Sequence, residues 1–244
     1  SSSNPNLQNI PIKSEDGRAI RRAFIAQKGM KIIACDYSQI ELRLLAEVAD
    51  IEPLIKAFKN NIDIHTLTAS QVFMVNTDKV TSDMRRNAKT INFGIIYGQS
   101  AFGLAKQLNI SRTEAREYIE LYFKQYPGIK KYMESTQDFA RKNGFVETIY
   151  GRRCYIPGIN DKNPMIRSGA ERQAINAPLQ GAAADIIKRA MKNFPEILIN
   201  KNINAKLILQ VHDELIFECS ESDVNDLISL VKTKMINAPK PGFK

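Results

Sequence analysis

The sequence predicts an α+β fold, in which strands from both ends of the chain build one body and a helical subdomain is inserted between them. Three observations predict it. Short apolar runs rich in β-branched residues lie near both ends, "MKIIACDY" at 30–37 and "AKLILQ" with "ELIFEC" on either side of His212–Asp213. From 53 to about 140 the apolar residues recur at helical spacing. No internal repeat or low-complexity segment suggests a solenoid or a tail.

Taken in order, residues 1–18, with Pro5, Pro11 and Gly17, read as loop. "RAFIA" at 22–26 and "MKIIACDY" read as short strands flanking a turn at Gly29. Residues 39–49 read as a helix, with Ile40, Leu44, Ala46 and Val48 set among Glu41, Arg43 and Glu47. The helical middle breaks near 60–61, 76–78, 98–103 and 127–128, where Asn, Asp, Gly and Pro gather. Ser111 followed by Glu114 is a capping box, opening a helix that runs through Tyr126. "FVETIYGRRCYIP" at 145–157 reads as a hairpin turning near Gly151. A long helix over 165–193 follows, with a kink expected at Pro178. Two strands joined around His212–Asp213 and a helix near 222–237 close the chain.

At 244 residues the chain can bury a sizeable core. A hydrophobic content of 43% and a charged content of 25% are ordinary for a globular protein. No apolar run reaches the ~18 residues of a membrane span, and the polar start lacks a signal-peptide core. Lysine and arginine number 35 against 26 acidic residues, a net +9 that favours an anionic partner, most simply nucleic acid. A protein that merely happens to be basic is the alternative. Cys35, Cys154 and Cys219 are far apart and form no CxxC, which reads as reduced thiols in a cytoplasmic protein rather than a zinc site.

The chemistry begins with "LILQVHDELIFECS" at 207–220, where His212, Asp213 and Glu214 interrupt an apolar stretch. Burying a carboxylate costs several kcal/mol, on the order of a whole interaction, unless it is paired or holds a metal. Asp36 likewise sits where an apolar strand stops. Two carboxylates converging from different strands would repel unless a cation lay between them, and Mg²⁺ is typically held by one or two carboxylates plus substrate phosphates. The alternative for each is a turn or cap, where Asp is common.

In "SDMRRNAKTINFGIIYGQ" at 82–99, Arg85, Lys89, Phe93 and Tyr97 fall four apart, on one side of a helix. Cations followed by rings suit the phosphates and the sugar and base of a nucleotide. The competing reading is a solvated basic end followed by core aromatics. Arg172, Asn176 and Gln180 also recur every four residues, which fits either groove contacts or a solvated face. His65 by itself would be a surface or core histidine.

"DYSQIELRLLA", "RRNAKTINFGIIYG" and "VHDE", in this order, resemble the three polymerase motifs of family A DNA polymerases, the bacterial DNA polymerase I group. "SSSNPNLQNIP", "DIHT", "GFVETIYGRR" and "ERQAINAPLQGAAADI" extend the similarity over nearly the whole chain. The resemblance implies a right-hand polymerase palm, an antiparallel sheet with helices, carrying an inserted helical fingers subdomain. Residues 1–45 and 145–244 would be palm and 46–144 fingers. It implies DNA-directed DNA synthesis with two Mg²⁺ ions, on primer–template DNA and dNTPs, in replication and repair. No membrane and no obligate protein partner enter, and the setting would be the cytoplasm at the bacterial nucleoid.

By that resemblance Asp36 and Asp213 bind metal with the backbone carbonyl of Tyr37, and Glu214 is a supporting catalytic carboxylate. Glu41 matches a gate against the ribose 2′-hydroxyl. Arg85, Lys89 and His65 match triphosphate ligands, and Gln39 belongs to the same dNTP-binding set. Phe93 packs on the sugar and Tyr97 stacks at the templating position. Gln8, Asn9, Arg172, Asn176, Gln180 and His212 resemble residues that hold the primer–template, partly through the minor groove, where shared acceptors report geometry rather than sequence. In the family a thumb and an exonuclease-like domain precede the point where this sequence starts, and closing palm residues follow where it stops. The expectation is a truncated polymerase domain with weak, salt-sensitive DNA binding. A metal-dependent nuclease and a non-catalytic DNA-binding module are the competing functions. The triphosphate cradle argues against the first.

Overall fold

The computed structural model describes residues 9–12 and 14–239. In chain order the elements are α1 (Glu15–Arg22), β1 (Met30–Asp36), α2 (Ile40–Val48), α3 (Glu52–Lys59), α4 (Ile64–Val72), α5 (Ser82–Ile96), α6 (Ala101–Leu108), α7 (Arg112–Gln125) and α8 (Pro127–Asn143). Then come β2 (Phe145–Glu147), β3 (Arg153–Tyr155), α9 (Pro164–Met191), α10 (Phe194–Asn200), β4 (Ala205–Val211), β5 (Glu214–Ser220) and α11 (Val224–Ile236). This is the α+β class that the sequence predicts.

Two expectations fail at the start of the chain. Residues 15–22 form α1 rather than loop. The Ser14 hydroxyl accepts the Gly17 N–H, acidic Glu15 and Asp16 occupy the first turn, and Arg21 and Arg22 the last, so cap and helix dipole are both served. "RAFIA" is not a strand: its arginine ends α1 and residues 24–27 have no regular structure. Ile25 is 79% exposed, and among the described residues no strand pairs with the apolar run. The sequence reading also passed over α10, which carries a proline in its first turn, where a missing N–H costs nothing. Elsewhere the cap-based readings hold. The Ser111 hydroxyl accepts the Glu114 N–H at the start of α7, and Gly151 takes φ 78° in the turn between β2 and β3.

The chain divides into two compact units. The first comprises residues 1–40 and 184–244. Its antiparallel sheet has the order β1–β5–β4, so the strand nearest the C-terminus lies in the middle. Leu215, Phe217 and Cys219 of β5 are buried, while the alternate residues are only half-buried, the period-two signature of a sheet covered on one face. Leu227, Val231 and Met235 form the buried stripe of α11, and Phe194 of α10 meets Phe217 edge-on at 5.1 Å. The Tyr37 hydroxyl donates to the Met235 carbonyl at 2.7 Å, tying the end of β1 to α11.

The second unit, residues 41–183, holds α3 to α8, nearly all of α2, most of α9 and the β2–β3 hairpin. Ile64 of α4, Ile91 and Ile95 of α5, Leu104 of α6 and Tyr122 of α7 are among its most buried side chains. The inward side of the hairpin, Val146 and Cys154, packs with Ala140, Ile156, Ala170 and Ala174. Pro178 lies inside α9, as expected. Gly98 ends the α5 segment at φ 69°, and a Cβ there would stand 3.1 Å from Arg172 Cγ and 3.5 Å from Ile175 Cδ1. Both the backbone and the space favour glycine. Gly98→Ala should therefore lower the unfolding free energy by about 1–2 kcal/mol, measured by urea melts, and an unchanged midpoint would refute the close approach.

Candidate active-site groups

The first unit gathers acidic residues at one end of its sheet. In the strand register Asp36 pairs with Glu214 across β1–β5, and Val211 pairs with Glu214 across β4–β5. The two-residue turn His212–Asp213 therefore projects from the edge where β1 ends. His212 takes φ 54°, a left-handed conformation that suits a tight hairpin. The Tyr37 N–H donates to the Asp213 carbonyl at 3.2 Å, which locks the turn to the strand end. Burial, then the charges of Asp213 and Glu214, push the Asp36 carboxyl above its ordinary value.

Among the described residues, no lysine or arginine forms an ion pair with Asp36, Asp213 or Glu214. The structure thus crowds carboxylates whose repulsion is not relieved by a protein cation. That donor set fits a hard divalent ion completed by substrate oxygens. Among the described residues no three His, Cys, Asp or Glu side chains form a ligating cluster.

Beside this group, His212 Nε2 lies 3.0 Å from Asn9 Oδ1. Gln8 lies outside the described residues. Gln39, between β1 and α2, takes φ 55°, rare for a non-glycine residue and the kind of local strain found at functional sites.

The second unit carries a different group. Asp63 caps α4: one carboxylate oxygen accepts the His65 N–H at 3.1 Å, and the other accepts the Thr66 hydroxyl at 2.8 Å. The second oxygen also accepts Arg85 Nε of α5. These hydrogen bonds hold the Asp63 carboxyl below its ordinary value, against the effect of burial. Arg85 and Lys89 are exposed on α5, while Phe93 and Tyr97 are half-buried beyond them. The Phe93 ring stands 5.8 Å from His65 and 5.9 Å from Tyr97. The Tyr97 hydroxyl donates to Glu41 Oε2. Glu41, His65, Arg85, Lys89, Phe93 and Tyr97 therefore belong to one unit, and the register of four on α5 orders cations first and rings after.

His65 is not on the surface: it is 2% exposed, and its Nδ1 lies 3.1 Å from Asn92 Nδ2. On α9, Arg172 and Gln180 are exposed and Asn176 is half-buried. The side-chain Oδ1 of Asn176 is buried and, among the described residues, has no hydrogen-bond partner, an orphan acceptor that calls for an explanation. Sequence reasoning missed Asp63, Thr68 and Asn92. Asp63 had a local signal, an acidic cap directly before a helix; the other two had none.

The match to DNA polymerase family A covers residues 1–243. The chain belongs to DNA polymerase family A. It is 52% identical to the DNA polymerase I of Rhizobium leguminosarum, covering 100% of this chain and 24% of that protein. It is also 52% identical to the DNA polymerase I of Pseudomonas aeruginosa, covering 98% of this chain and 26% of the other. This family A chain thus spans about a quarter of the length of the curated relatives it matches. It superposes, with a TM-score of 0.92 and 45% identity, on the POL domain of Pol1 from M. smegmatis in complex with DNA primer-template and dNTP. That likeness covers 98% of this chain and 42% of the other. Among the described residues no helix is long and apolar enough to cross a membrane.

Proposed function

We propose that this chain supplies the catalytic groups of a DNA-directed DNA polymerase, one that transfers dNMP from a dNTP to a primer 3′-hydroxyl under template direction. The observation that carries the reading is the Asp36–Asp213 carboxylate pair, crowded and, among the described residues, without an ion pair to lysine or arginine. Residues 1–45 and 145–244 would act as palm and 46–144 as fingers. The partners would be primer–template DNA and dNTPs, and the setting the bacterial nucleoid.

Asp36 and Asp213 offer hard oxygens to two Mg²⁺ ions, with the Tyr37 carbonyl as a further donor and Glu214 in support. When bound, such a pair lowers the pKa of an attacking hydroxyl and neutralises charge on the phosphates. Lys89 and Arg85 donate to triphosphate oxygens. The Nε of Arg85 is committed to Asp63, which leaves its two terminal nitrogens for phosphate. Phe93 packs on the sugar, Tyr97 stacks at the templating position, and Gln39 adds a polar contact to the nucleotide. Asn9, Gln8, His212, Arg172, Asn176 and Gln180 hold the primer–template. Most of this work is positioning and charge stabilisation.

Primer extension with labelled dNTP, run beside labelled duplex alone, tests the proposal. Mg²⁺-dependent incorporation that stops when the metal is chelated is expected. Mg²⁺-dependent degradation without incorporation would replace the polymerase by a nuclease.

Glu41 would discriminate sugars. Its carboxylate is held by the Tyr97 hydroxyl, so a bulky group stays where a 2′-hydroxyl would need room. Glu41→Ala should narrow the preference for dNTP over rNTP by roughly 10–100-fold, read as the ratio of kcat/KM values. Unchanged selectivity would remove Glu41 from the gate.

A further inference from the structure

We propose that Asn92 and Thr68 are positioning residues that hold His65 as the neutral tautomer with its proton on Nε2, poised to donate to a triphosphate oxygen. The second half of this inference rests on the proposed role of His65 as a phosphate ligand.

His65, Thr68 and Asn92 are 2%, 1% and 1% exposed, a polar trio inside a helical core. Buried polar groups of this kind are tolerated when they satisfy one another. Here they form a chain. The Thr68 hydroxyl donates to Asn92 Oδ1 at 3.1 Å, which turns the amide nitrogen of Asn92 toward His65 Nδ1, also at 3.1 Å. An amide nitrogen only donates, so the ring nitrogen facing it must accept. A neutral imidazole carries a single proton, and with Nδ1 accepting, that proton sits on Nε2.

The surroundings keep the ring neutral. Burial pushes its pKa down, and the charges of Arg85 and Lys89 on α5 push the same way. The Asp63 carboxylate at the head of α4 opposes them and does not prevail. A neutral N–H donor can meet a phosphate oxygen without adding a third cation to a site that already presents Arg85 and Lys89. The network also couples two helices: His65 and Thr68 stand three apart on α4, and Asn92 lies between Lys89 and Phe93 on α5.

The chain contains two histidines, so ¹⁵N NMR of the imidazoles is directly assignable, with His212→Gln identifying the other ring. We expect an unprotonated Nδ1 and a protonated Nε2 for His65 in the full 244-residue chain. Asn92→Asp replaces the facing donor by an acceptor of the same shape and should draw a proton onto Nδ1. Where the ring stays neutral, that move strips the proton from Nε2 and should raise the Kd for Mg²⁺–dNTP about tenfold while primer–template affinity stays put. An Nδ1–H ring in the wild-type chain overturns the proposal without any variant. So does an Asn92→Asp chain in which the Nε2–H tautomer and the dNTP affinity persist. His65→Ala separates the two claims. If it leaves dNTP affinity unchanged, the phosphate role of His65 is lost, and the spectra alone then decide the tautomer assignment.

Discussion

Asp36→Asn is expected to cut nucleotide incorporation by about a thousandfold or more and, without metal, to make the chain more stable at neutral pH rather than less. The first effect follows from losing a ligand to ions that would organise the attacking and leaving oxygens. The second follows from electrostatics in the folded state. Burial and the neighbouring Asp213 and Glu214 raise the Asp36 pKa, so the ionised form is disfavoured once the chain has folded. The folded state then holds a proton more tightly than the unfolded one. Relative to the Asn variant, wild-type stability falls as pH rises from the ordinary carboxylate value of 3.8 through the raised folded value, and the deficit is complete above it. Thermal melts of both chains from about pH 4 to about pH 8 would show the gap open across that window. Excess Mg²⁺ should close it by stabilising the wild type alone, because only the wild type keeps both aspartates. A variant that is less stable than the wild type in chelator at neutral pH would defeat the crowded-carboxylate argument.

Lys89→Ala should raise the Kd for dNTP by about 10–100-fold, the cost of one charge-assisted phosphate contact. Lys89 is exposed on α5 and, among the described residues, forms no ion pair, whereas Arg85 is already partnered by Asp63. Among the described residues, the Lys89 charge is thus not neutralised by a carboxylate. Primer–template affinity, measured by anisotropy, should change little. If DNA affinity fell and dNTP affinity held, α5 would be serving the other ligand.

Much of this molecule is legible along the chain. The start of α7 follows from Ser111 and Glu114, and the hairpin at Gly151 from a residue suited to positive φ. Each rests on a hydrogen bond or dihedral set within a few residues. The same logic was available for α1, where Ser14, the acidic first turn and the basic last turn spell out a helix. Pro5, Pro11 and Gly17 are breaker signals that compete with that cap along the sequence. "RAFIA" failed for the opposite reason: an apolar run becomes a strand only when another strand pairs with it, and none does among the described residues.

The site divides along the same line. By itself the sequence determined the motif order that marks family A, the helix that sets Arg85, Lys89, Phe93 and Tyr97 four apart, and the strand ends where Asp36 and Asp213 stand. Only the tertiary structure decided that β5 enters between β1 and β4 in a register that pairs Asp36 with Glu214. Only it decided that His65 is buried against Asn92 rather than exposed. Helix caps and turns are governed by contacts a few residues apart, so their energies can be read locally. Strand register and helix packing join residues far apart in the chain, and their choice depends on which faces bury each other.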